Sequence, residues 1–133
     1  AAETGHLVFS TLHTTSAAST INRIIDSFEP HQQNQVRSQL SSSLKAVIAQ
    51  VLLPKKDKTG RIAAHEILLN TDAVGNMIRE NKIVQINSVI QTNQRLGMTT
   101  LENSLATLVK RDLIDQETAE SYATDLTLLQ RLV

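Results

Sequence analysis

Two histidines stand near the start of the chain, His6 and His13, and the second opens a hydroxyl-rich run, Thr14-Thr15-Ser16. Imidazole N–H and hydroxyl groups donate to phosphate oxygens, so this spacing fits anion recognition. Two readings of His13 stay open. It lies past the carboxyl end of a β-prone segment, where α/β sheets bind ligands, or it is a loop histidine that caps a helix or meets solvent. An offset of seven puts His6 and His13 on opposite faces of a regular strand, so no shared metal site is expected. His31 has a weaker claim. His65, next to Glu66 in a strand, is expected to be packed or paired.

A second cluster is cationic: Lys55, Lys56, Lys58 and Arg61 surround one polar turn. It reads either as a solvated tip that protects a sheet edge or as a surface for an acidic partner. Arg79 and Glu80 are adjacent charges at a helix end, a pattern that is usually solvated.

Other chemistries are excluded. The glycines at 5, 60, 75 and 97 form neither a G-x-x-x-x-G-K-[ST] phosphate loop nor a G-x-G-x-x-G turn. With no Cys there is no thiol nucleophile, disulfide framework or cysteine metal site. The 133 residues carry 13 Lys+Arg against 13 Asp+Glu, without the basic excess of a nucleic-acid binder. One Tyr and two Phe give no base-stacking platform. A composition of 41% hydrophobic and 20% charged residues is that of a soluble, intracellular globular protein. No apolar run is long enough for a membrane-spanning helix.

The elements that must position these residues follow from periodicity. Ala1–Gly5 reads as a last helical turn ended by glycine, which implies a piece of a longer protein. His6–Leu12 is apolar and not strictly alternating, as in a strand covered on both faces of a parallel sheet. Thr14-Thr15-Ser16 offers N-caps to a helix carrying Ile21, Ile24, Ile25 and Phe28. A second helix places Val36, Leu40, Leu44, Val47 and Ile48 on one stripe. Strands over roughly 50–55 and 61–69 form a hairpin around the Lys56–Gly60 turn. Four helices complete the chain. The first starts at Asn70-Thr71-Asp72. The second carries Ile83, Ile86, Val89 and Ile90. The third opens on a capping box with Thr99 as N-cap and Glu102 at N3. The last starts at Asp115, with Ala119, Tyr122, Ala123 and Leu126 inward.

The run Thr4-Gly5-His6-Leu7-Val8-Phe9-Ser10-Thr11-Leu12-His13-Thr14 resembles the histidine box of the type II/IV secretion ATPases, on their pilus-retraction branch. The resemblance continues through Ala17–Phe28, Gly60-Arg61-Ile62-Ala63-Ala64-His65-Glu66-Ile67-Leu68 and Leu96-Gly97-Met98-Thr99-Thr100-Leu101. It spans nearly the whole chain. It implies an α/β fold: the C-terminal part of a RecA-like P-loop ATPase domain (strand, helices, β-hairpin) over 1–69, then a C-terminal helical bundle over 70–133. It implies a hexameric motor that hydrolyses ATP with Mg2+ to withdraw pili in twitching motility. The expected partners are identical subunits and an inner-membrane platform protein, with no nucleic acid and no membrane insertion. The expected location is cytoplasmic, peripheral at the inner-membrane base of the pilus machine.

In this family the later box histidine reaches the γ-phosphate, which matches His13, and His6 belongs to the same box. Thr11 and Thr14 are then the nucleotide-binding hydroxyls. The phosphate loop and the acidic general base are expected upstream of residue 1, so these residues alone should bind no cofactor and hydrolyse nothing. The family's retraction helix, A-I-R-N-L-I-R-E, matches Ala73-Val74-Gly75-Asn76-Met77-Ile78-Arg79-Glu80. Asn76, Arg79 and Glu80 are retained, and Gly75 replaces the first arginine. The hairpin cations Lys55, Lys56, Lys58 and Arg61 are expected at a subunit interface. The extension branch carries zinc-binding cysteines, which this chain lacks. An accessory, non-retracting secretion ATPase and a free-standing helical interaction module are the alternatives.

Overall fold

A computed structural model describes residues 1–133. A 3-10 turn, Ala2–Thr4, ends at Gly5 with φ 93°, as the glycine-terminated first turn predicted. Helix α1 spans Ala17–Asp26, and Ser16 caps it. The Ser16 hydroxyl accepts from the Ser19 N–H at 3.1 Å while the Ser16 N–H donates to Ser19 Oγ at 3.2 Å. Helix α2 covers Gln33–Ser43, and strands β1, Ala46–Pro54, and β2, Arg61–Leu69, form the antiparallel hairpin. Then follow α3 (Asp72–Arg79), α4 (Ile86–Thr92), α5 (Leu101–Lys110), α6 (Gln116–Tyr122) and α7 (Leu126–Leu132).

The interior is two apolar clusters that share the hairpin. The first joins Ile21 and Ile25 of α1 to Val47, Leu68, Val74, Ile78, Ile86 and Ile90. The second joins Leu53 and Ala64 to Leu105, Leu108, Ile114, Ala119 and Leu129. On the inner face of the hairpin, Val47 pairs with Leu68, Ala49 with Glu66 and Val51 with Ala64. The Ala49–Glu66 pair therefore lies at the seam between the clusters. The free edge of β2 is occupied too. Ile67 and Thr99 exchange backbone hydrogen bonds of 2.8 and 3.1 Å, and the His65 N–H donates to Ser104 Oγ at 3.0 Å. These contacts bring the start of α5 beside Glu66.

Several details differ from the sequence expectation. The segment His6–Leu12 is not a strand: residues 7–15 take part in no backbone–backbone hydrogen bond, and Phe9 is 87% exposed. A strand requires a neighbour's ladder, and these 133 residues offer this run none. Helix α2 stops at Ser43, so Val47 and Ile48 belong to β1, which begins before position 50. Asn70 Nδ2 ends that helix by donating to the carbonyls of Ser41 and Leu44 at 2.9 and 2.8 Å.

The cap of α5 is Thr100, not Thr99, because the backbone of Thr99 is held by Ile67; the Thr100 hydroxyl accepts from the Asn103 N–H at 3.2 Å. Glu102 makes no capping box. It is 2% exposed, and its Oε1 accepts from the Thr124 N–H, the Thr124 hydroxyl and the Asp125 N–H at 3.0, 2.8 and 2.9 Å. That acceptor breaks the expected last helix into α6 and α7, with Asp125 capping α7. Tyr122 and Leu126 consequently face outward, as does Phe28 after α1.

Glu102→Ala strands buried donors at the α6–α7 junction and removes a buried, fully engaged carboxylate. Such losses cost about 3 kcal/mol. Urea unfolding followed by circular dichroism is expected to show a lowered midpoint, and an unchanged midpoint contradicts this account of the junction.

Candidate functional site

Helix α1 turns its buried stripe, Ala17, Ile21 and Ile25, inward. Its other face carries Ser19, Asn22, Arg23 and Asp26. With the loop before it, that face lines an open cleft of about 620 Å³ bounded by Thr11, Leu12, His13, Thr14, Ser19, Asn22, Arg23 and Asp26. The structure thus brings Thr11, His13 and Thr14 together. His6 is elsewhere, with Nδ1 3.2 Å from the Thr4 hydroxyl. Thr14 is held in place by a 2.6 Å hydroxyl contact with Thr20, whose hydroxyl also donates to the Ser16 carbonyl at 2.7 Å. His13 sits three residues before the fixed cap and is exposed.

Sequence reading missed the α1 side of this cleft. The signal was present: positions 19, 22, 23 and 26 are the complement of the apolar stripe at 17, 21 and 25. Imidazole, guanidinium and hydroxyl donors on one concave surface can bind phosphate oxygens. No group of three or more acidic or histidine side chains is placed to hold a metal ion. His65 pairs with Gln50 across the ladder, Nε2 to Oε1 at 3.0 Å, the paired outcome of the packed-or-paired expectation.

At the hairpin tip, Lys58 adopts φ 60° and Gly60 φ 138° to turn the chain. The cations separate here. Lys56 Nζ is 2.5 Å from Asp112 Oδ1 and 3.9 Å from Asp115, which ties the tip to the loop before α6. The hydrogen bond and charge of Asp112 hold the Lys56 ammonium above its ordinary pKa. Hydrogen bonds from Thr59 hold Asp57 below its ordinary value. Lys55, Lys58 and Arg61 form no ion pair within the chain.

Helix α3 lies against α2. Arg79 donates from Nη1 to Asn76 Oδ1 at 2.7 Å and from Nη2 to Ser41 Oγ at 3.1 Å. Glu80 pairs with Lys82 at 2.7 Å, which lowers its pKa. A Cβ at Gly75 would stand 3.0 Å from the Ser41 carbonyl oxygen. The glycine therefore permits the closest approach of the two helices.

Comparison with known proteins gives this geometry its family. The family model described as type II/IV secretion system protein matches residues 1–120. The chain belongs to that family. It is 58% identical over 123 residues to a twitching motility protein of Neisseria gonorrhoeae, covering 92% of this chain and 33% of the relative. It is 54% identical over 123 residues to the type IV pilus retraction ATPase PilT of Pseudomonas aeruginosa, covering 92% of this chain and 36% of the relative. The crystal structure of a pilus retraction motor PilT with bound ADP superposes with a TM-score of 0.85 at 45% identity, over 97% of this chain and 36% of that one. The chain spans about a third of the length of these relatives. The α/β architecture expected from the resemblance, hairpin and helices included, is that of the matching PilT region. No helix is long and apolar enough to cross a membrane.

The α2–α3 contact yields a direct test. Gly75→Arg restores the arginine of the retraction-helix pattern but forces a side chain against the α2 backbone. Overpacking of this kind costs about 1–3 kcal/mol. The expected result is a lower urea midpoint, with far-ultraviolet dichroism retained below the transition. An unchanged midpoint contradicts the close approach at Gly75.

Proposed function

We propose that residues 1–133 are the C-terminal part of a longer ATPase that powers type IV pilus retraction. In this reading 1–69 completes a RecA-like nucleotide-binding core and 70–133 forms the helical subdomain. The observation that carries it is the convergence of Thr11, His13 and Thr14 with the polar face of α1 in one cleft, in a chain more than half identical to a retraction ATPase. His13 reaches the γ-phosphate of MgATP, Thr11 and Thr14 contribute hydroxyls, and His6 supports the same box from outside the cleft. The phosphate loop and the general base come from the part of the motor that precedes this region. Phosphoryl transfer depends on such positioned groups, so residues 1–133 alone do not turn over ATP.

Asn76 and Arg79 on α3, with Glu80 just after it, serve retraction. The working form is a cytoplasmic homohexamer docked on the inner-membrane platform protein. An accessory role is the second reading, favoured by Gly75 in place of the pattern's arginine. Lys55, Lys58 and Arg61 face an acidic surface of the neighbouring subunit, while Lys56 braces the tip that presents them.

In the intact motor, His13→Ala is expected to lower ATP turnover more than His6→Ala. Losing a donor to developing phosphate charge costs on the order of 2–4 kcal/mol, by analogy with oxyanion donors. Steady-state ATPase assays decide it: normal turnover in His13→Ala with loss in His6→Ala reverses the assignment.

The hairpin makes a separate prediction. Replacing Lys55, Lys58 and Arg61 by Ser is expected to weaken hexamer assembly at low salt, with the deficit shrinking as salt screens the contacts over a Debye length of about 8–10 Å. Subunit melting is expected to hold, since exposed changes cost within about 0.5 kcal/mol each. Sedimentation velocity at two salt concentrations measures this, and equal hexamer fractions throughout return the tip to a solvated turn.

A further inference from the structure

Glu66 is 8% exposed on the inner face of β2, between the two apolar clusters. Its Oε1 accepts from the Ala17 N–H at 2.8 Å, and the Leu101 amide at the start of α5 weakly favours its ionised form. Ala17 and Leu101 are the first residues of α1 and α5, directly after the caps Ser16 and Thr100. The carboxylate thus serves an orphan amide at the start of α1, where negative charge is also favoured by the helix dipole. The consequence for the cleft is positional. Residues 7–15 have no backbone hydrogen bonds of their own, so the fixed start of α1 is the anchor from which Thr14 and His13 project.

We propose that Glu66 is a positioning residue for the nucleotide cleft, holding the start of α1 and through it the His13–Ser16 loop against the hairpin. The inference rests on the cleft being a nucleotide site. Glu66 touches no substrate; it acts through the Ala17 amide. An apolar residue of the same size would fill the seam and leave the start of α1 unserved. A glutamine would restore one acceptor, because its amide nitrogen cannot accept.

The test uses the intact protein with Glu66→Met, which keeps volume and removes the acceptors, and Glu66→Gln, with His13→Ala alongside. Two readouts are combined: hydrogen exchange over residues 11–20 without nucleotide, and kcat and apparent KM for MgATP hydrolysis. Glu66→Met is expected to accelerate exchange in 11–20 and to raise KM on the order of tenfold, the scale of a misplaced binding group. Loss of folded protein alone lowers kcat and leaves KM unmoved. Glu66→Gln is expected to recover most of the KM. Unchanged exchange in Glu66→Met overturns the anchor. Faster exchange with normal KM, while His13→Ala loses turnover, makes Glu66 structural and overturns the positioning role. Normal kinetics in both Glu66→Met and His13→Ala overturn the nucleotide reading and this inference together, with the exchange data still reporting whether the anchor exists. If Glu66→Met does not fold, the same exchange and KM comparison on Glu66→Gln decides: wild-type values for both readouts refute the proposal, and partial changes in both support it.

Discussion

A single buried carboxylate stands where the two apolar interiors of this chain meet. Glu66 faces Ala49 across the hairpin ladder, with the Val47–Leu68 pair on the α1 side and the Val51–Ala64 pair on the α5 side. Burying that charge costs free energy, and only hydrogen bonds to the ionised form offset the cost. The donor comes from the first turn of α1, so satisfying the charge fixes where that helix begins. The neighbouring contacts follow from that constraint. The Ile67–Thr99 bridge and the His65–Ser104 bond set α5 along β2, and Glu102, one position beyond Leu101, reaches the α6–α7 junction from there.

The arrangement has an electrostatic consequence. Burial is the main force raising the Glu66 pKa above its ordinary value; the Ala17 amide opposes it, and the charge of Glu102 adds to it. A carboxyl whose folded pKa exceeds its unfolded one binds more protons in the native state than in the unfolded chain between those values. Stability then falls as pH rises through that window. Glu66 therefore contributes most when protonated, and above the window its ionised form is a cost carried by the rest of the core. The amide contacts limit that cost.

Much of this was legible from residue patterns, and the failures share a cause. Ser16 and Thr71 were readable as caps because a hydroxyl before an amphipathic run satisfies local amides. The hairpin was readable from its polar turn. The extent of the histidine cleft was half readable, since the polar face of α1 is what its apolar stripe leaves over. Glu66 was passed over and Glu102 misread because their partners lie 49 and 22 residues away in sequence. Local grammar assigns a Glu two places after a Thr-Thr pair to a capping box, although here the backbone of Thr99 is already engaged. The alternation Ala64-Glu66-Leu68 did mark Glu66 as inward, and an inward acid implies donors.

The segment before His13 completes the picture by contrast. Leu7, Val8 and Phe9 are exposed and unladdered, while the loop's other end is locked at Ser16 by cap, by Thr14–Thr20 contact and by Glu66. Hydrogen-bonded support in the cleft thus thins from α1 toward residue 7. An apolar, β-prone run with free N–H and C=O groups is stable only where another strand takes up its ladder. In the longer motor proposed for this chain, a core sheet would supply that ladder. Docking of residues 7–12 would then fix the histidine loop from both ends, so that strand pairing on one side and the Glu66 anchor on the other jointly set the position of His13.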